Sequence, residues 1–449
     1  MKLSSAFGVR QGDVVAFTGA GGKTSTLVAL GHELADAGWR VLALTTTRIG
    51  WDQLGLFPRA IPASSTPQGI SAQLSQHRML FLHGGLRGDK AIAPPPDVMG
   101  HLLDRVDSDV LLIEADGARG LPLKAPRAHE PVVPPETTLL VPVASLAALG
   151  RPLDEQHVMN ASAVSAHFGF PEGAPVKSPW IAQILRDPDF GLKGRPPGAR
   201  AVCWINAVPA SGYLLGRARL IAQLALREPT VQAAAFGSAR ASEPVIEVQR
   251  RVSAIVLAAG ESKRMGEMKV LLPWAGDAPI LSHILGALRT ARLEDVVVVT
   301  GRQEEQVRAV AEQEGARCAH NADYAGGEML SSLQRGLRAL SENVSAALVV
   351  LGDQPQIQPS VVHRLLEAYA RGEALIVAPS YDMRRGHPIV IDRRLWPELL
   401  ALPSGAAPRD VINRHAGRTQ YVNVDDDSIL RDVDTPEAYR AERRRAGFG

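Results

Sequence analysis

The chain has 449 residues, 45% hydrophobic and 21% charged, with 49 Lys+Arg against 47 Asp+Glu. That length exceeds one ordinary domain and the balance is that of a folded globular protein. A net charge of +2 excludes a general affinity for nucleic acid, so an anionic ligand must be met by local placement of charge. Two distant cysteines, Cys203 and Cys318, and scattered histidines give neither a disulfide framework nor a zinc ribbon, and a reducing, cytoplasmic setting fits. The start, MKLSSAFGVRQGD, lacks the apolar segment of a signal peptide. The apolar stretch Leu139–Leu149 is broken by Pro142 and Ser145, short of the ~18 residues a membrane span takes, so no membrane partner is expected.

In chain order, Asp13–Thr18 reads as a buried strand, Gly19–Ser25 (GAGGKTS) as a glycine loop, Thr26–Ala37 as a helix and Arg40–Thr45 as a second strand. This order makes a right-handed βαβ unit the default. Met79–Leu82, Asp109–Glu114, Thr138–Val143, Arg200–Asn206 and Thr230–Ala235 continue a parallel sheet, with helices over Asp97–Val106 and Leu214–Leu226. Residues 1–240 form a first domain, and 241–251, small and charged without periodicity, read as a linker. Residues 252–449 form a second domain of regularly alternating strands and helices. The fold class expected is α/β in both domains, each a mostly parallel sheet flanked by helices, P-loop-like first and Rossmann-like second.

The second domain opens on Val252–Lys269, VSAIVLAAGESKRMGEMK, an apolar strand feeding a glycine-bearing basic loop. Open α/β sheets bind ligands outside the carboxyl ends of their strands. Leu257, Ala258, Ala259, Gly260, Ser262 and Gly266 would shape a nucleotide cradle, with Arg264 and Lys269 as its cations. Asp353, directly after a strand, and Asp434, before Thr435-Pro436, are candidate Mg²⁺ ligands. Each has a plainer alternative, since such loops are often solvated turns and such carboxylates are often helix caps.

LAAGESKRMGEMK resembles the signature of the MobA-like nucleotidyltransferases, as do Gly352-Asp353-Gln354-Pro355, Gly386-His387-Pro388, the Asn321…Ser331-Ser332-Leu333 segment and Asp432–Pro436. Within that family the chain most resembles the molybdenum cofactor cytidylyltransferases. The resemblance implies transfer of CMP from CTP to the phosphate of molybdopterin, with release of pyrophosphate. It also implies Arg264, Lys269 and Asp353 as catalytic groups, Mg²⁺ on Asp353 and Asp434, Thr300 near the nucleotide, and His387 orienting the pterin. Ala259, where GTP-using relatives resemble LAGG, would narrow the base pocket and favour CTP over GTP. Two alternatives stay open: cytidylyl or uridylyl transfer to a sugar or polyol phosphate, and a non-catalytic carrier delivering cofactor to an apo-hydroxylase.

In the first domain, Gly19, Gly21, Gly22, Lys23, Thr24 and Ser25 resemble a phosphate-binding P-loop for ATP or GTP, with Thr24 and Asp116 as Mg²⁺ ligands. The usual GxxxxGK[ST] has glycine where this chain has Phe17, so the first turn must differ. Asn206-Ala207-Val208-Pro209 lacks the Lys and Asp of a guanine-reading motif. TGAGGKTS…TTTR…EADGARGLPLKAPRAHEP resembles the selenium-dependent hydroxylase accessory family. That implies a context, the maturation of molybdenum hydroxylases with transient contact to such an apoenzyme, more than a reaction.

Overall fold

The computed structural model describes residues 1–448 apart from 96, 97, 99–101, 103, 263 and 327, and only the backbone of 328. The helix expected over Asp97–Val106 and two loop residues, Lys263 and Gly327, therefore fall wholly or partly outside the described residues. The chain divides into two compact units, Met1–Gln249 and Arg250–Gly449.

The first unit contains β1 (Asp13–Gly19), α1 (Lys23–Asp36), β2 (Val41–Thr45), β3 (Arg48–Gly50), β4 (Ala60–Pro62), β5 (Met79–His83), β6 (Leu86–Arg87), β7 (Lys90–Ile92) and β8 (Val110–Glu114). It continues with β9 (Leu139–Ser145), β10 (Arg200–Asn206), α2 (Tyr213–Ala225), β11 (Val231–Gly237) and β12 (Val245–Arg250). Among the described residues a nine-stranded sheet runs β12-β11-β10-β9-β1-β8-β2-β5-β4, and β3, β7 and β6 make a separate ribbon. β1 pairs in parallel with both β9 and β8. Its run of Val14, Val15, Ala16 and Phe17 is buried throughout, as a central parallel strand covered on both faces requires. Phe17 is fully buried against Phe7, with ring centroids 6.3 Å apart, and Phe7 meets Trp204 edge-on at 5.8 Å.

The expected linker is mostly strand. β12 occupies Val245–Arg250, and Val245, Glu247 and Val248 are buried. Arg219 of α2 pairs with the Glu247 carboxylate at 2.5 Å, so the charge that hid this strand from an apolar pattern is compensated in place.

The second unit runs β13 (Val252–Ala258), α3 (Ile280–Thr290), β14 (Val296–Thr300), α4 (Glu304–Gln313), β15 (Arg317–His320), α5 (Glu328–Ala339), β16 (Ala346–Leu351) and α6 (Pro359–Arg371). It ends with β17 (Ile376–Tyr381), β18 (Arg384–Arg385), β19 (Ile389–Asp392), β20 (Thr419–Asn423) and α7 (Pro436–Arg445). The sheet order is β15-β14-β13-β16-β19-β17-β18, with β20 also on β17. β15, β14, β13 and β16 are parallel, whereas β19 is antiparallel to both β16 and β17. Two apolar layers cover the sheet, one holding Ile284, Leu288, Val362 and Leu365, the other Leu333, Leu337, Trp396 and Leu399. β13 thus lies between two parallel neighbours, and its carboxyl end opens at the centre of the sheet.

Candidate active site

The loop after β13 is closed by its own serine. Ser262 adopts φ 51°, its carbonyl accepts the N–H groups of Met265 (3.0 Å) and Gly266 (3.2 Å), and its hydroxyl accepts that of Lys269 (3.1 Å). Gly266, at φ 75°, lets the chain turn back. Ser262 and Gly266 therefore shape the cradle by fixing its backbone, and they deliver the Lys269 ammonium to the strand ends.

There the ammonium meets two carboxylates. Lys269 Nζ lies 3.4 Å from Asp353 Oδ2 and donates a short hydrogen bond to Asp434 Oδ1, while Arg264 reaches Asp434 Oδ2 at 2.5 Å. Backbone bonds set this convergence. Gly352 N–H donates to the Leu257 carbonyl (3.0 Å), and Val433 N–H donates to the Asp353 carbonyl (2.9 Å). Neither carboxylate is a helix cap. α7 is capped by the Thr435 hydroxyl, which accepts from Ala438 N–H at 3.2 Å, and α6 begins after Gln358. Burial raises the Asp353 pKa; Lys269 opposes that shift, while Asp432 and Asp434 add to it. The Asp434 pKa is lowered, first by the Lys269 hydrogen bond and further by Arg264. Two hard oxygen donors beside two cations suit a divalent ion carrying phosphate oxygens.

Other expected contacts sit deeper. Thr300 is fully buried, its hydroxyl 3.5 Å from His320 Nδ1, where it supports the strand end. Ala258 and Ala259 are buried, and a Cβ placed on Gly301 would lie 2.9 Å from the Ala259 methyl. That methyl faces the end of β14, so it does not narrow an open base pocket by itself. His387 sits over a small cavity with Gln354, Ile357 and Ser428, and its N–H donates to the Ile429 carbonyl (3.1 Å). Burial, aided by Arg385, pushes the His387 pKa down to about 4, which keeps the ring neutral at physiological pH.

The first unit carries a second constellation. β1 continues through Phe17 to Gly19, where φ reaches 88°, so the turn begins two residues later than the usual phosphate-loop spacing places it. Three glycines are obligatory there: added Cβ atoms would fall 2.3 Å from the Val143 carbonyl at Gly19, 2.4 Å from Ser145 Cβ at Gly21 and 2.0 Å from Asn206 Nδ2 at Gly22. Asn206 donates to the Gly21 carbonyl (2.9 Å) and accepts from Ala239 N–H (3.0 Å), so it pins the loop and reads no base. α1 starts at Lys23 with no side-chain cap, leaving its first N–H groups to a ligand. Thr24 donates to Glu114 Oε2 at 2.7 Å.

Asp116 departs from expectation. It is 1% exposed, and Lys23 (3.2 Å) and Lys124 (3.0 Å) flank it while Gly19 N–H donates to it (3.1 Å). It braces the loop from beneath, and Glu114 is the carboxylate that faces the cleft beside Thr24. Burial raises the Glu114 pKa against the opposing pull of Lys23 and Thr24. The cleft, of about 1500 Å³, is lined by Gly21, Gly22, Lys23, Thr24 and Ser25 together with a ring of basic side chains.

Residues 254–419 match the MobA-like NTP transferase domain, and residues 15–162 match the YqeC protein family. The first part is 31% identical over 217 residues to the uncharacterised protein YqeC of Escherichia coli K12, covering 47% of this chain and 82% of that protein. The chain joins a YqeC-family unit to a MobA-like NTP transferase domain. The MobA-like domain is 33% identical over 193 residues to nicotine blue oxidoreductase of Paenarthrobacter nicotinovorans, covering 41% of this chain and 93% of that protein. It is 26% identical over 195 residues to molybdenum cofactor cytidylyltransferase of Escherichia coli K12, covering 43% and 96%. The MobA-like domain is thus a nucleotidyltransferase by family, and its Lys269, Asp353 and Asp434 form one cluster. Asp432, which accepts from Gln354 Nε2 at 2.7 Å, also belongs to its wall; the DxDTP pattern contained the residue but gave no sign of that bond.

Proposed function

We propose that the MobA-like domain transfers CMP from CTP to the phosphate of molybdopterin, forming the cytosine dinucleotide cofactor and releasing pyrophosphate. The observation that carries this reading is the meeting of Lys269 and Arg264 with Asp353 and Asp434 at the carboxyl ends of β13 and β16. The two cations, now spent on the carboxylates, exchange to the nucleotide phosphates when these arrive. Asp353 and Asp434 would hold Mg²⁺, which when bound neutralises charge on the α-phosphate and the departing pyrophosphate. The attacking phosphate oxygen is already ionised, so the chain supplies no general base. It aligns the attacking oxygen with the leaving group and neutralises charge. His387, neutral beside Gln354, orients the pterin.

The choice of CTP rests on likeness to the cytidylyltransferase, since the Ala259 methyl is committed to the end of β14. The test is pyrophosphate release from CTP and from GTP, each with molybdopterin or with a sugar phosphate. Release with CTP and molybdopterin alone supports the reading. Equal rates with GTP would overturn the base assignment, and turnover only with the sugar phosphate would overturn the acceptor. The likeness to a protein named as an oxidoreductase makes absence of release under all four conditions informative, because it would favour redox chemistry.

The YqeC-family unit binds ATP or GTP at Gly19–Ser25, with Thr24 and Glu114 as the pair suited to Mg²⁺, and serves the same maturation of a molybdenum hydroxylase.

A further inference from the structure

The cleft of the YqeC-family unit is larger and more basic than one nucleotide needs. Its volume of about 1500 Å³ exceeds the roughly 300–1,000 Å³ of an ordinary small-molecule site. Seven Lys and Arg side chains line it against Asp52, Glu114 and Glu130, in a chain whose net charge is only +2. Arg48, Lys90 and Arg119 make no ion pair or side-chain hydrogen bond among the described residues. Arg40 of the same unit, by contrast, is held by Asp107 and Asp109.

Their placement is directional. Arg48 pairs with Ile92 and Gly50 with Lys90 across β3 and β7. Alternation along each strand therefore puts Arg48 and Lys90 on one face of the ribbon as diagonal neighbours, roughly 7 Å apart. Gly50 carries no side chain opposite Lys90, and the Asp52 carboxylate fills that space, 2.4 Å from where a Cβ on Gly50 would lie. Arg119 lies in the loop after β8. The Thr24–Glu114 bond holds the start of α1 against the end of β8, where the phosphates of a nucleotide on Gly19–Ser25 would lie. Arg48, Lys90 and Arg119 line the same cleft as Lys23 and Thr24.

We infer that Arg48, Lys90 and Arg119 form a second subsite, which holds a phosphate-bearing small molecule next to the terminal phosphate of the nucleotide. This rests on the reading that Gly19–Ser25 takes a nucleotide. The planar guanidinium groups suit a phosphate monoester, and Lys90 adds a point charge.

The probe is pyridoxal 5′-phosphate, a phosphate monoester whose aldehyde forms an imine with a nearby lysine that borohydride makes permanent. The full-length protein is treated with it in Mg²⁺, with and without the ATP analogue AMP-PNP, and the labelled lysines are mapped by peptide mass. Lys90 is labelled in both conditions, and pyridoxal without phosphate labels it far less. Arg48→Gln lowers that labelling by about tenfold or more, with an unchanged melting temperature, because a charge-assisted hydrogen bond is lost. Equal labelling by pyridoxal, no effect of Arg48→Gln, or suppression of Lys90 labelling by AMP-PNP would each overturn the second subsite. AMP-PNP binding is measured separately by calorimetry. Its absence would sink the nucleotide reading, whereas phosphate-dependent labelling of Lys90 without AMP-PNP judges the basic wall by itself.

Discussion

Asp353 shows how a single side chain is held for function at some cost to the fold. Its pKa is raised by burial, so ionising it is harder in the folded chain than in the unfolded one. Such a group contributes stability below its unfolded pKa and loses it as pH rises. Asp353→Asn is therefore expected to leave the melting temperature at pH 7 unchanged or higher, while Asp353→Ala lowers nucleotidyl transfer by about 10³-fold or more through loss of a metal ligand. A fall in both stability and activity would mark Asp353 as structural. His387 gives the opposite sign. Its folded pKa of about 4 lies below the 6.5 of a free imidazole, so the unfolded chain binds the extra proton first on acidification. Stability should fall between pH 6.5 and 4, by up to ~1.4 kcal/mol per pH unit, and His387→Gln should flatten that slope in urea titrations. Residue types and order were legible here: Lys269, Asp353 and Asp434 were all named by the strand-end pattern. Asp116 was misplaced because a carboxylate after a strand looks the same whether it faces a cleft or is clamped between Lys23 and Lys124.

At the scale of elements, the two glycine loops are built differently. The loop after β1 has no room for side chains, and Asn206 holds it from the neighbouring β10. Gly22→Ala combines φ 128° with a 2.0 Å approach to Asn206 Nδ2. It should cost roughly 1–3 kcal/mol and weaken ATP binding in calorimetry, leaving the MobA-like domain's activity untouched. Phe17→Gly, which would restore the usual motif spacing, should instead destabilise the first unit by about 3–5 kcal/mol, because Phe17 is a fully buried strand residue. A stable, tighter-binding Phe17→Gly protein would mean that the turn starts earlier than Gly19. Most strands and helices were readable from apolar runs and period. β12 was not, because buried Glu247 interrupts its pattern. The antiparallel β19 was also missed, since a return strand after Gly386-His387-Pro388 looks like any short apolar run. Its register against β16 and β17 is a matter of long-range pairing that no local signal carries.

For the whole molecule, the division at Gln249–Arg250 separates two sites with their own cores. Lys23→Ala should abolish nucleotide binding by the YqeC-family unit without changing transfer by the MobA-like domain, measured on the same preparation. A parallel loss of both would show that the sites are coupled. Among the described residues, no helix is long and apolar enough to cross a membrane. What two juxtaposed families contribute to one chain was legible early, since each carries its own motif set. The substrates were not, because phosphate chemistry fixes the cations and carboxylates but leaves base and acceptor to pocket shape. The measurement that bears most directly on the central claim is the mass of the product formed from Mg²⁺, CTP and molybdopterin by the full-length protein and by its Asp353→Ala variant. The account predicts molybdopterin increased by one CMP with the first and unchanged with the second. Unmodified molybdopterin with both proteins, or the same product from the variant, would contradict it.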